Sequence, residues 1–194
     1  WDADSGAPLA AAPSWQDARA ARAVAALAGD LALQAKVHAK TGLYLNPYYS
    51  APKLRVLLEE VPAVRRAAEA GVLRAGPVAT WALWRLTGGK AFKADPTTAQ
   101  RMLLWDMEKD AWDDDLLSLF EVPRACLPEL VPTAGEWCSF ERKGRLVRAT
   151  RTAPSYRLYA LSDTTPPKPA LVRSRDGHGS CIDVEVWEMP MEAF

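Results

Sequence analysis

TGLYLNPYYSAPKLRVLLEE, residues 41–60, decides how the chain is read. A loop carrying Tyr44, Pro47, Tyr48 and Tyr49 runs directly into a helix whose start is marked by Ser50. Pro52 is tolerated in the first turn, where its missing N–H has no intrahelical partner to lose. Leu54, Leu57, Leu58 and Val61 recur at helical spacing, and this stripe is expected to be buried. So much aromatic surface in front of a helix has two readings. The rings pack into a core, or a polyol or sugar lies flat against one of them.

On the N-terminal side, Asp4-Ser5-Gly6 reads as a turn closing a hairpin. Ser14-Trp15-Gln16-Asp17 fits a helix start, a serine cap with an acid three residues later. The alanine-rich helix that follows runs to about Gly29-Asp30, and a second helix over 31–40 stops at Gly42. On the C-terminal side, 62–70 is a short amphipathic piece ending at Gly71. Residues 79–86 are apolar almost all round, Trp81 and Trp84 included, which predicts a buried helix ending at Gly88-Gly89. Asp95-Pro96 starts another helical turn. Residues 113–120 form a helix with acids in the first turn, where the macrodipole favours them.

Near Ala134 the periodicity changes from helical to strand-like. Strands are expected at 156–161, 170–173 and 181–187, with a proline-rich loop at 162–169 and a hairpin tip at 176–179. Ile182, Val184 and Val186 alternate with Asp183 and Glu185, the pattern of a strand with one wet face. The chain thus divides into 1–134 and 135–194.

Lysine plus arginine and aspartate plus glutamate each total 24, so the formal net charge is zero. That balance provides none of the basic field that a nucleic acid or an anionic membrane favours. With 49% apolar residues in 194, a sizeable core is expected. No apolar run is long enough to span a bilayer. The start, Trp1-Asp2-Ala3-Asp4, has no basic segment followed by an apolar one and no initiator methionine, so a processed, trimmed or partial chain is expected. Cys126, Cys138 and Cys181 are odd in number and lack Cys-x-x-Cys spacing. Reduced thiols in the cytoplasm are expected, rather than zinc or a disulfide framework.

Four stretches carry a resemblance: SWQDAR, TGLYLNPYYSAPKLRVLLEE, TWALWRLTGGKAFKADPTTAQRMLLWD and WDDDLLSLFEVPRACLPELVPTAG. In this order and spacing they resemble the FGGY carbohydrate kinases, most closely the glycerol kinases. The resemblance covers about residues 1–135. It implies an α/β fold, part of an actin-like, ribonuclease-H-like kinase domain that is mostly helical over these residues. It also implies a small polyol or sugar as substrate, with Trp15 and Tyr48 lining the pocket. Asp17 and Arg19 match a motif pair with an orienting role, and Lys53 matches the family signature at the start of the following helix. The sequence departs from the family at Asn46, where an aspartate is usual, at Val56, where a tryptophan is usual, and at Ala18, usually arginine. These departures bear on substrate identity more than on membership.

In the intact family enzyme, ATP and Mg²⁺ serve phosphoryl transfer. The family's phosphate-binding hairpin and its Gly-Asp-Gln segment with the catalytic aspartate are not among these residues. The expectation is therefore that this chain alone binds neither cofactor, contributes no catalytic residue or metal ligand and is inactive. The tail is similar to a second family. YRLYAL, TTPPKPALVR and VEVWEMPMEAF, within 144–194, resemble the allophanate hydrolase C-terminal domain, which implies a β-rich, partial γ-glutamylcyclotransferase-like segment. An alternative reading is then a non-catalytic fusion remnant or an accessory domain linked to urea or allophanate metabolism. Strands without their usual neighbours predict self-association through open edges.

Other features have bland readings. Gly88-Gly89-Lys90 lacks the remainder of a phosphate loop and reads as a helix end. Asp113-Asp114-Asp115 reads as capping and solvation rather than a metal site. Tyr44 and Tyr49 read as packing residues, His38 as surface or half-buried and His178 as solvent-facing. Arg142, Lys143, Arg145, Arg148 and Arg151 read as the wet face of a strand.

Overall fold

The computed structural model describes the backbone of residues 1–142, 145–152, 155–161, 170–175 and 181–186, and the side chains of residues 1–138. Helices come first: α1 (Ala21–Leu27), α2 (Leu31–Thr41), α3 (Ser50–Glu60), α4 (Pro62–Glu69) and α5 (Val78–Leu86). Short elements follow: β1 (Lys93–Ala94), α6 (Pro96–Ala99), β2 (Trp105–Asp106), β3 (Ala111–Trp112), α7 (Asp114–Leu119) and β4 (Glu129–Leu130). β1 pairs with β4 in parallel, and β2 with β3 antiparallel. Beyond these, β5 (Gly135–Arg142), β6 (Arg145–Thr152) and β7 (Ser155–Leu161) form an antiparallel meander. β8 (Ala170–Arg175) pairs antiparallel with β9 (Cys181–Val186). The loop expected at 162–169 and the hairpin tip expected at 176–179, with His178, lie outside the described residues. So do the side chains of the basic stretch over 142–151.

α3 carries the centre of the core. Leu54 and Leu57 cluster with Val37, Met102, Leu103, Leu104, Leu116 and Phe120, and Leu58 and Val61 pack at the edge of this cluster. Burying a side chain of this size contributes about 1.5–3 kcal/mol, so the apolar stripe read from the sequence determines which way α3 faces. α2 stops at Gly42 as its sequence indicates, and its start is fixed by Asp30, which the sequence reading placed at the end of the preceding helix. The Asp30 carboxylate accepts the Leu33 N–H at 2.9 Å, and Gly42, at φ 69°, donates its N–H to the His38 carbonyl. That left-handed turn favours a residue without Cβ. Gly6 is held by a second constraint. At φ +69° its backbone passes over α5, and a Cβ there would lie 3.1 Å from the Trp84 ring. Trp84 also packs against Trp1, with ring centroids 5.8 Å apart.

The structure corrects several expectations. No helix starts at Ser14: residues 14–20 form turns, and α1 begins at Ala21. The Ser14 hydroxyl accepts the Gln16 N–H and its carbonyl accepts the Asp17 N–H at 3.2 Å, closing a turn, while the Ser14 and Trp15 carbonyls also accept from Lys53. α3 is capped by the extended backbone of Tyr49, with Ser50 as its first helical residue and no side-chain cap. The helix expected to be buried is covered on one face only: Thr80, Leu83 and Trp84 of α5 are buried, whereas Trp81 is 41% exposed. Tyr44 is an exposed ring stacked on His38 at 4.3 Å rather than a core residue, whereas Tyr49 packs against the core.

The three acids at the start of α7 do cap and pair as individuals. Asp113 is buried; its carboxylate accepts the Leu116 N–H at 3.0 Å and the Lys40 ammonium at 2.5 Å. Asp115 pairs with Lys36 and Lys40, and Asp114 with Arg124. Burial pushes the Asp113 carboxyl up, but Lys40, the Leu116 N–H and Lys109 outweigh it and hold the group below its ordinary 3.8. A folded pKa below the unfolded one adds stability above the unfolded value and loses it as pH falls through the folded value. Asp113→Ala is expected to cost about 2 kcal/mol in urea unfolding at neutral pH. The gap between wild type and variant should shrink as pH falls below 3.8; a gap that stays constant into acid would contradict the assignment.

Candidate functional site

A cavity of about 660 Å³ opens between the 8–13 segment, the start of α3 and α5. Its lining is mostly apolar, including Pro8, Ala11, Leu54, Leu57 and Trp81, with Trp15, Tyr48, Lys53 and Arg101 at one end. A concave apolar surface with a few placed polar groups is the usual form of a small-molecule site.

Trp15 and Tyr48 form the aromatic end. Their ring centroids are 5.6 Å apart at an interplanar angle of 47°. Trp15 is 62% exposed and Tyr48 38%, so core packing does not account for these two rings. They come from separate loops, and Lys53 joins those loops. Its buried ammonium donates to the carbonyls of Ser14 at 2.6 Å, Tyr48 at 2.9 Å and Trp15 at 3.3 Å. Burial lowers the Lys53 pKa from its ordinary value, while Asp17 opposes that shift. With three carbonyls around it, the ammonium ties loops together rather than presenting a free charge to a ligand.

Asp17 and Arg19 lie beside the site but do not line the cavity. The Asp17 carboxylate accepts the Arg19 backbone N–H at 3.0 Å and its guanidinium at 2.8–3.0 Å. The hydrogen bonds from Arg19 hold the Asp17 carboxyl down at about 2. Asn46 supports the second loop, its side-chain oxygen accepting the Tyr48 N–H at 2.9 Å. An amide oxygen meets that need as a carboxylate oxygen would. Of the residues named from the sequence, the structure brings Trp15, Tyr48 and Lys53 together at the cavity and places Asp17 and Arg19 at its periphery. The sequence reading passes over Trp81 and Arg101, which reach the cavity through tertiary packing that no local spacing marks.

Residues 1–143 match the FGGY family of carbohydrate kinases, N-terminal domain. This chain belongs to the FGGY family of carbohydrate kinases. Residues 136–194 match the allophanate hydrolase C-terminal domain, so the two matches overlap at 136–143. The FGGY portion is 47% identical over 137 residues to a glycerol kinase of Ectopseudomonas mendocina, across 71% of this chain and 28% of that protein. It is 48% identical over 139 residues to glycerol kinase 1 of Pseudomonas aeruginosa, across 71% of this chain and 28% of that protein. The chain thus spans about 28% of the length of these curated relatives.

Among solved structures, Plasmodium falciparum glycerol kinase with ADP superposes with a TM-score of 0.69 at 28% identity, over 74% of this chain and 28% of that one. A Rhodospirillum rubrum xylulose kinase, at 22% identity and TM-score 0.57 over 66% of this chain and 25% of that one, shares the fold. The FGGY portion therefore has the sugar-kinase fold expected from its motifs, in partial form.

Lys53→Met keeps the length of the side chain and removes the donor shared by the three carbonyls. It is expected to cost about 2–3 kcal/mol in urea unfolding and to abolish nuclear Overhauser contacts between the Trp15 and Tyr48 rings. Unchanged stability with the ring contacts intact would contradict the clamp.

Proposed function

We propose that this chain forms the aromatic wall of a polyol pocket of the glycerol-kinase type. The observation that carries this reading is the exposed Trp15–Tyr48 pair facing a largely apolar cavity. An indole offers a flat face to C–H groups, and a phenol adds a hydrogen-bonding tip. Trp15 and Tyr48 touch the substrate; Lys53 orients both loops, and Asp17 with Arg19 shapes the first. The names of the relatives support a small polyol such as glycerol as the ligand, and the chain works in the cytoplasm. Its division at 134/135 sets this wall apart from a β-rich tail, read as part of a γ-glutamylcyclotransferase-like fold. Self-association runs through open strand edges left by missing sheet neighbours.

In a complete glycerol kinase, ATP with Mg²⁺ supplies the phosphoryl group to a substrate hydroxyl. Among the described residues no group of three or more His, Cys, Asp or Glu side chains could hold a metal ion, and no carboxylate lines the cavity. Binding and orienting the polyol are the roles these residues support. An accessory role in urea or allophanate metabolism rests on the tail alone and is not favoured.

Calorimetric titration tests the reading. Glycerol is expected to bind saturably, Trp15→Ala to weaken binding about tenfold and Tyr48→Phe to weaken it about threefold. A folded chain that takes up no glycerol would overturn the proposal.

A further inference from the structure

Arg101 occupies an unusual position in the cavity wall. A 3₁₀ turn, Gln100–Met102, ends at Leu103, whose backbone is left-handed at φ 62°. Met102, Leu103 and Leu104 are buried, whereas Arg101 is exposed and lines the cavity. Its guanidinium carbon lies 5.7 Å from the Tyr48 ring centroid and 5.9 Å from that of Tyr49. The two tyrosines meet edge to face, with centroids 5.2 Å apart at 78°. Arg101 therefore sits over the corner made by both rings.

The other cations of the lining are committed. Lys53 donates to three carbonyls, and Arg74 donates to the carbonyls of Leu73, Gly71 and Ala125. Among the described residues, no carboxylate pairs with Arg101, and none lines the cavity to compete for it. A guanidinium over an aromatic face is held by the ring quadrupole, while its N–H edge stays available to donate.

We propose that Arg101 is a specificity-determining residue of this pocket, fixing the tilt of Tyr48 against Trp15 and donating hydrogen bonds to the hydroxyl oxygens of a bound polyol. The donor role rests on the polyol-pocket reading; the positioning role stands on the ring geometry alone. Lysine cannot reproduce it, because a compact ammonium lacks the planar fork that both lies over a ring and donates sideways.

The test compares wild type, Arg101→Met and Arg101→Lys in the full chain, with glycerol as the probe. In Arg101→Met, the Tyr48 ring and Trp15 indole resonances are expected to shift. The melting temperature should stay within about 2 °C of wild type, as for an exposed side chain. The glycerol dissociation constant should rise about tenfold, with Arg101→Lys restoring only part of the affinity. Unchanged ring resonances in Arg101→Met overturn the positioning role, and unchanged glycerol affinity overturns the donor role. If the folded wild type binds no glycerol, the polyol reading and the donor role fall together, and the resonances alone decide whether Arg101 sets Tyr48.

Discussion

One buried ammonium organises the site. Taking a lysine out of water is costly unless its donors are met, and Lys53 meets them with the carbonyls of Ser14, Trp15 and Tyr48. Those three bonds tie two loops that are far apart in sequence to the first turn of α3. Trp15 and Tyr48 are consequently brought to 5.6 Å while remaining exposed. The Ser14 and Trp15 carbonyls that accept from Lys53 lie in the turns that stand where a helix start was expected.

Local signals were legible where they act within a turn: Gly42 marks the end of α2 and Asp113 the start of α7, whereas Asp30, the cap of α2, was read as the end of the preceding helix. The stripe of α3 was legible because Leu54 and Leu57 obey the helical period and reach the core. Ser14 misled: its carbonyl closes a turn with the Asp17 N–H and accepts from a lysine 39 residues away, a contact that no local pattern marks. Trp81 and Tyr44 misled because the burial of an aromatic residue depends on what covers it, and neither is fully covered. The motif match named Trp15, Tyr48 and Lys53, which the structure brings together, whereas Arg101 reaches them only through a 3₁₀ turn folded against the two tyrosines.

The passage into the β-rich tail is less abrupt than the change in periodicity suggests. Trp137, in β5, is buried against Leu83 and Ala91 and donates its indole N–H to the Pro132 carbonyl at 3.0 Å. The Lys93 ammonium donates to the Trp137 carbonyl at 2.7 Å. The first residues of the meander are therefore anchored to the helical part, in the stretch where the two family matches overlap.

The central claim is that Trp15 and Tyr48 together hold a polyol. Its most direct test is a nuclear Overhauser experiment between the C–H protons of bound glycerol and the aromatic protons of the isotopically labelled chain. Cross-peaks to both the Trp15 indole and the Tyr48 ring are predicted. A folded chain whose glycerol cross-peaks fall on other residues, or on none, would contradict the account.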